Sequence, residues 1–349
     1  MGCMSAKAAN LEHVQNYERQ LSTGNADDFE AKYIMSETVL GKGSYALVRE
    51  CLVRETRDVC AVKIVAKDAL PEDERLALLE EVDILRHISH PNVVKLHDFY
   101  ERQDAFLIVM EKLGGGELFD RIVQKQRYTE LEAREIVKAL LDGVRHLHDG
   151  NIVHRDIKPE NLLLTTSADD ASIKIADFGF AKKDVTSDSL KSKCGTPGFV
   201  APEILKGMGY GTQVDVWSLG CIVYILLGGY PPFYDESQPQ LFRKIKAGQF
   251  KFHREYWSHV SDDAKDLINK MITVNPRERI TAHDALHHSW IEAEASVLGR
   301  RDIQSTTKEL RKHNARRKLR AAFRTVIATN RMRRLISDLT KAANQDEKV

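Results

Sequence analysis

The sequence predicts an α+β chain of two unequal lobes: a small antiparallel β lobe, a larger helical lobe after it, and a basic helical tail. Three observations carry this. β-rich runs crowd residues 33–113, apolar residues at helical spacing dominate beyond Gly114, and composition turns Lys/Arg-rich after Trp290-Ile291. The expected organisation is a leader over 1–32, a first lobe over 33–113, a second over 114–291, and a tail over 292–349. With 349 residues, 42% of them hydrophobic, the chain can bury a large core.

The elements follow in order. Residues 1–32 are polar with little periodicity and read as a leader without chemistry. Tyr33 to Leu40, Leu47 to Val53 and Val59 to Ala66 alternate like strands, separated by a glycine turn and a charged turn, which predicts a three-stranded meander. Leu78, Val82 and Leu85, at i, i+4 and i+7 beyond Pro71, predict a helix with one face inward. Two more strands are expected around Val94 to Phe99 and Ala105 to Met110. Helical periodicity then marks Leu118 to Val123, Leu131 to Leu147, Asp215 to Leu227 and Ala264 to Met271. The apolar run Val216 to Leu227 is shorter than the ~18 residues of a membrane span, and predicts a buried core helix.

Five cysteines (Cys3, Cys51, Cys60, Cys194, Cys221) show neither CxxC spacing nor a disulfide framework, so a reducing, cytoplasmic setting is expected. No apolar core of a secretory signal opens the chain. Met1-Gly2-Cys3 offers Gly2 for myristoylation and Cys3 for palmitoylation, although the Ser or Thr wanted at the sixth position is Ala6. A plain disordered terminus is the competing expectation. The formal net charge of +1 hides a segregated one, since Arg300 to Arg334 holds thirteen Lys/Arg against two acids.

Between the first two strands lies Leu40-Gly41-Lys42-Gly43-Ser44-Tyr45-Ala46-Leu47-Val48. Glycines there let backbone N–H groups approach phosphate oxygens, yet a glycine pair between strands is more often an ordinary hairpin, and Ala46 replaces a third glycine. In Cys60-Ala61-Val62-Lys63 the strand period puts Ala61 and Lys63 on one face, so a small residue could admit a base while the ammonium reaches its phosphates. Such a lysine needs a carboxylate; Glu81 on the following helix is the candidate, with Glu80 the adjacent alternative.

The most specific signal is His154-Arg155-Asp156-Ile157-Lys158-Pro159-Glu160-Asn161, with Asp177-Phe178-Gly179 starting sixteen residues after Asn161. Apolar runs Leu162 to Leu164 and Ile173 to Ala176 predict a hairpin that returns Asp177 beside Asn161. Carboxylate and amide oxygens there suit magnesium. Asp156 can accept a hydroxyl proton, and Lys158 can steady a transferring phosphoryl group. A charged surface loop is the bland alternative for any one of these residues, but not for the ordered set.

Over Tyr33 to Ile291 the sequence resembles the eukaryotic protein kinase family. The resemblance implies the two-lobed kinase fold, with ATP and Mg2+ as cofactors. Lys63 and Glu81 would be the ion pair, Asp156 the base, and Asn161 and Asp177 the magnesium ligands. The nucleotide set would comprise Leu40, Gly41, Lys42, Gly43, Ser44, Tyr45, Ala46, Val48, Ala61, Lys63, gatekeeper Met110, hinge residues Glu111 to Leu113, Glu160 and Leu163. Lys158, with Gly195-Thr196-Pro197-Gly198-Phe199 before Ala201-Pro202-Glu203, is similar to serine/threonine enzymes. Thr196 would contact Asp156, Glu203 would pair with Arg279, and Asp215 would brace the catalytic loop. Glu117 resembles the carboxylate that reads arginine three residues before a phosphosite, and Phe180 would favour serine. Ser192 lies where relatives carry a threonine modified by an upstream kinase; its phosphate would pair with Arg155.

From about Thr307 to Leu339 no proline or glycine interrupts a helical pattern. Leu319, Phe323, Ile327 and Met332 are the apolar anchors, with arginines and lysines around them, the pattern of a calmodulin target. A helix packed permanently on the lobe, a membrane-surface helix and a nucleic-acid patch are the rivals, nucleic acid the least favoured. Tail and domain together resemble the calcium/calmodulin-dependent protein kinases, nearest class I, although Leu319 replaces the usual tryptophan anchor. No EF-hand loop occurs in the chain, so calcium-loaded calmodulin would come as a separate partner. A monomer that phosphorylates protein Ser/Thr, with residues from about Ala293 to Lys318 blocking the cleft at rest, is the expectation. The functional alternatives are a pseudokinase scaffold, which would lack Lys63, Asp156 or Asp177, and a small-molecule kinase.

Overall fold

The computed structural model describes residues 20–24, 26–42, 46–68, 70–125, 128–166, 172–186, 188–303 and 306–319. Strands β1 (Tyr33–Lys42), β2 (Ala46–Val53), β3 (Val59–Ala66), β4 (Leu96–Glu101) and β5 (Ala105–Glu111) form one sheet in the order β1-β2-β3-β5-β4. All its ladders are antiparallel. The expected meander is present. The fourth strand starts later than the apolar run suggested, because the backbone of 93–94 pairs with the other lobe: the Val94 N–H donates to the Ile175 carbonyl at 3.0 Å.

Alternation along β3 gives the sheet two apolar faces. Cys60, Val62 and Ile64 point to one, Val65 to the other, which also receives the long helix of this lobe. Helix α1 (Ala26–Lys32) precedes the sheet, and α2 (Glu72–Arg86) packs on β4, burying Leu79, Val82 and Leu85. Residues 20–32 are therefore part of the small lobe: Leu21 and Phe29 are both buried in it.

The second lobe comprises α3 (Leu118–Gln124), α4 (Glu130–Asp149), α5 (Pro202–Lys206), α6 (Gln213–Gly228), α7 (Gln238–Ala247) and α8 (Asp262–Met271), with shorter helical turns between and after them. Helix α4 opens on a capping box. The Thr129 side chain accepts from the Glu132 N–H, and the Glu132 carboxylate accepts from the Thr129 N–H at 2.8 Å. Helix α6 is apolar around its whole circumference because it is buried from Val214 to Gly228. Among the described residues no helix is long and apolar enough to cross a membrane.

Under the cleft lies a second sheet, β6 (Gly116–Glu117), β7 (Leu162–Leu164) and β8 (Ile173–Ile175), in that order. The predicted hairpin is β7–β8. The two-residue β6 was not legible, being too short to alternate. The tail's first half belongs to the large lobe, since Leu298, Ile303 and Leu310 are buried there. A helix then runs over 306–319, its Thr306 hydroxyl donating to the Leu227 carbonyl at 2.7 Å.

Candidate active site

The site forms where the lobes face each other. In β3, Lys63 stands opposite Val48 of β2 and Ile108 of β5, and Ala61 stands opposite Met110. The strand period therefore places Ala61 and Lys63 side by side toward the cleft. Lys63 Nζ lies 3.2 Å from Glu81 Oε2 and 3.4 Å from Oε1. Glu80, the adjacent alternative, instead pairs with Lys182, and Asp83 pairs with Lys183. One helical step thus separates an inward carboxylate from an outward one.

The nucleotide set is split by the described residues. Leu40, Gly41 and Lys42 end β1, and Ala46 and Val48 begin β2; Gly43, Ser44 and Tyr45 lie outside the described residues. Met110, Leu113 and Leu163 are half-buried against the large-lobe core, spanning the junction between lobes. Glu111 closes the hinge: its N–H donates to the Lys95 carbonyl at 3.0 Å, and its carboxylate meets Lys174 at 2.7 Å. Glu160, also of the nucleotide set, is half-buried. Its carboxylate turns to the tail, 3.0 Å from Arg317 Nη1.

Asp156 is buried, and its carboxylate accepts from three side chains, Asn161 Nδ2 among them at 3.5 Å from Oδ2. Thr196 Oγ1 donates to Oδ1 at 2.9 Å, and Lys158 Nζ donates to Oδ2. The Asn161 amide donates to the Asp156 carbonyl at 2.9 Å, and the pairing of β7 with β8 brings the chain after β8 back beside Asn161. Ala176 N–H donates to the Asn161 carbonyl at 2.9 Å and locks that proximity. Asp177 is solvent-accessible, sits at φ 64°, and accepts a long bond from the Gly179 N–H at 3.4 Å. One accessible carboxylate beside one amide oxygen fits a magnesium ion that keeps its waters and shares phosphate oxygens. No cluster of three or more His, Cys, Asp or Glu that could hold a metal ion occurs among the described residues.

The catalytic loop hangs on Asp215 at the start of α6. Its carboxylate is fully buried and accepts from the backbone N–H groups of His154 at 2.9 Å and Arg155 at 2.8 Å. His148 Nε2 completes it at 3.1 Å. Burial alone would raise the Asp215 pKa, but these hydrogen bonds and the neighbouring imidazoles hold it below the usual carboxylate range. His154 also bonds the Ala176 carbonyl at 3.1 Å and meets the Phe178 ring edge-on at 4.8 Å. His148 and His154 were not singled out as supports, and only their place beneath the loop reveals them.

Arg155, at φ 69°, reaches the activation segment. Its guanidinium donates to Ser192 Oγ at 2.7 Å and to the Tyr210 hydroxyl at 3.2 Å. Glu203 and Arg279 form a bidentate pair at 2.8 and 3.0 Å, both side chains almost wholly buried. Arg279 also lies 5.1 Å over the Trp217 ring.

On the peptide side, Glu117 precedes α3 and pairs through β6 with Leu163. The tail helix lies across this ground. Arg317 pairs with both Glu117 and Glu160, Lys318 pairs with Asp120 at 2.5 Å, and Asn314 donates to Asp120 at 2.7 Å. Asp120 was missed in the sequence. Its one signal was its position one turn after Glu117. A chamber of about 370 Å³ remains between the tail and the ledge of Thr196, Pro197 and Phe199. Leu319 is 59% exposed on the helix's free side; Phe323, Ile327, Met332, Gly2 and Cys3 lie outside the described residues.

With this geometry in place, comparison decides the family. Residues 34–291 match the protein kinase domain. The chain belongs to the protein kinase family. This kinase is 41% identical over 331 residues to the calcium/calmodulin-dependent protein kinase type IV of Mus musculus, covering 95% of the chain and 69% of that relative. The Homo sapiens type IV enzyme is 42% identical over 310 residues, 88% of the chain and 64% of the relative. The type II delta subunit of Oryctolagus cuniculus is 43% identical over 312 residues, 89% of the chain and 58% of the relative. The kinase therefore spans roughly two thirds of these relatives' length, and its family is that of the serine/threonine, calcium/calmodulin-dependent enzymes. The relatives compared are of types IV and II, whereas tail and domain together had suggested class I.

Proposed function

We propose that the chain transfers the γ-phosphoryl group of MgATP to Ser or Thr of proteins carrying arginine three residues upstream, that its own tail holds it off, and that calcium-loaded calmodulin releases it. What carries the reading is Arg317, whose guanidinium already satisfies Glu117 and Glu160. The two acids that a basic substrate would need are held by an arginine of the same chain. Burial of that arginine works against its charge, but hydrogen bonding to Glu117 and the Glu160 carboxylate keep its pKa above the ordinary value.

The chain's own residues divide the work. Asp156 takes the proton of the substrate hydroxyl as its oxygen bonds phosphorus and the β–γ bridge breaks. Thr196 aims one Asp156 oxygen, and Lys158 stands ready to meet charge on the transferring group. Lys63, fixed by Glu81, positions the nucleotide phosphates. Magnesium, held by Asn161 and Asp177, would supply charge neutralisation on those phosphates.

Release follows from where the tail is held. Residues 311–319 meet Glu117, Asp120 and Glu160, on the peptide side of the cleft. Leu319 faces solvent, so calmodulin can take that first anchor before Arg317 lets go, and needs only to prefer the released helix. The test is phosphorylation of a peptide with arginine at the third upstream position, with and without calcium and calmodulin. Stimulation supports the reading; equal turnover in both conditions, or of a peptide without the arginine, overturns it. A chain ending at Leu310 keeps the buried Leu298, Ile303 and Leu310 and should need no calcium. A cut after Ile291 would strip those core residues and confound the result.

A further inference from the structure

The leader crosses the free edge of the small-lobe sheet and grips it from both sides. Thr23 N–H donates to the Phe99 carbonyl at 2.6 Å, Phe99 N–H donates back to Thr23 Oγ1 at 3.0 Å, and Glu101 N–H donates to the Gly24 carbonyl at 3.3 Å. This short parallel rung covers the edge of β4. Before the rung, Leu21, 4% exposed, enters the cluster of Val65, Leu79, Val82, Phe99, Phe106 and Ile108. After it, Phe29, 2% exposed, enters the cluster of Tyr33, Cys51, Cys60, Val62 and Tyr100 on the opposite face.

The two faces differ in what they support. Leu79 and Val82 flank Glu81 on α2, and Val65 follows Lys63 by two residues on the same face of β3. Leu21 thus shares one apolar cluster with both elements that carry the ion pair. The grip has a polar half: Arg86, in the last turn of α2, donates to the Leu21 carbonyl at 2.7 Å and to the Gln20 carbonyl at 3.3 Å. Helix α2 has no side-chain cap at Pro71, so tertiary contacts set its placement. Phe29 belongs to the cluster on the other face, whose members include no residue of α2.

We propose that Leu21 is a positioning residue for phosphoryl transfer: the leader fixes how deep α2 sits, and through it the approach of Glu81 to Lys63. The inference rests on the kinase reading above. A cavity at Leu21 lets α2 shift, and a shift of an ångström at Glu81 releases the lysine.

The full-length chain, activated with calcium and calmodulin, carries the test. Leu21→Ala should lower kcat/KM for MgATP by about tenfold or more, equivalent to ~1.4 kcal/mol of transition-state stabilisation. KM for the peptide should hold, and Leu21→Met should restore most of the loss. Phe29→Leu should lower Tm comparably while leaving KM for MgATP unchanged. Arg86→Gln, which leaves the apolar core whole, should show a smaller loss of the same kind and keeps the question open to measurement if Leu21→Ala does not fold. Amide exchange gives a readout independent of turnover: Leu21→Ala should speed exchange across Glu72–Arg86 and spare Gln213–Gly228. Activity falling in proportion to Tm for both Leu21→Ala and Phe29→Leu overturns the proposal, as does unchanged exchange in α2. Absence of peptide phosphorylation by the unmodified chain counts against the kinase reading, whereas the exchange result judges the leader by itself.

Discussion

The catalytic loop and the tail helix are held by opposite kinds of contact. Asp215 is wholly buried and takes three donors from the loop and its support, while Arg317 and Lys318 pair with acids that remain partly open to water. Buried, fully satisfied polar groups cost several kcal/mol to break, of order 3–5 for an ion pair. Exposed pairs contribute about 0–1 kcal/mol each. One arrangement is therefore permanent, and the other can be undone by a binding partner. The ground around Glu117 and Asp120 is governed by the second kind, the loop around Asp156 by the first.

The comparison breaks most sharply at Asp156. Asp156→Asn keeps the size of the side chain and its place beside Thr196 but loses the base, and should lower kcat by about 10²–10⁴ in a peptide assay. Retention of near-normal turnover would remove Asp156 from proton transfer. Glu203→Ala should come next: it leaves Arg279 buried without its carboxylate, and denaturant titration should show a loss of about 3–5 kcal/mol. A loss within the noise would mean the pair is not the permanent brace described.

On the tail, Arg317→Ala should raise calcium-independent activity by roughly tenfold, because it removes two pairs, to Glu117 and to Glu160, each worth about 0–1 kcal/mol. Lys318→Ala should raise it only a few-fold, its pair with Asp120 being worth at most about 1 kcal/mol. Equal effects of the two would show that Arg317 is not the arginine substitute. The smallest effect is one of pH. The folded-state pKa of Asp215 is depressed, so its stabilising contribution is complete above the unfolded value of about 3.9 and is lost as pH falls through the lower folded value. Asp215→Asn should therefore flatten the decline in stability below about pH 4 relative to the unmodified chain, as read by thermal melts across that window.

Much of the site was legible because its chemistry is written in short ordered segments. Asp156 to Asn161, Asp177 and the β3 lysine each sit at fixed offsets from strands whose alternation the sequence shows, so Ala61 and Lys63 were placed on one face before any coordinate. Glu81 and Glu80 could not be separated that way. Both lie one step from the apolar face of α2, and only the seating of the helix decides that Glu81 faces Lys63 while Glu80 meets Lys182.

The leader and the tail show the same limit at a larger scale. Polar composition concealed Leu21 and Phe29 as core residues, because two apolar side chains eight residues apart make no periodic pattern. Likewise the tail's basic face was plain, but which arginine meets Glu117 depended on where the helix is pinned by Ile303, Thr306 and Leu310.

By itself the sequence determined the two-lobed fold, the catalytic groups and the amphipathic character of the tail, since each follows from local spacing. Tertiary structure alone decided which carboxylate holds Lys63, which arginine covers the peptide ground, and that the leader clasps the sheet edge. Those are pairings between residues remote in the chain, and their geometry is set by packed cores rather than by neighbours in sequence.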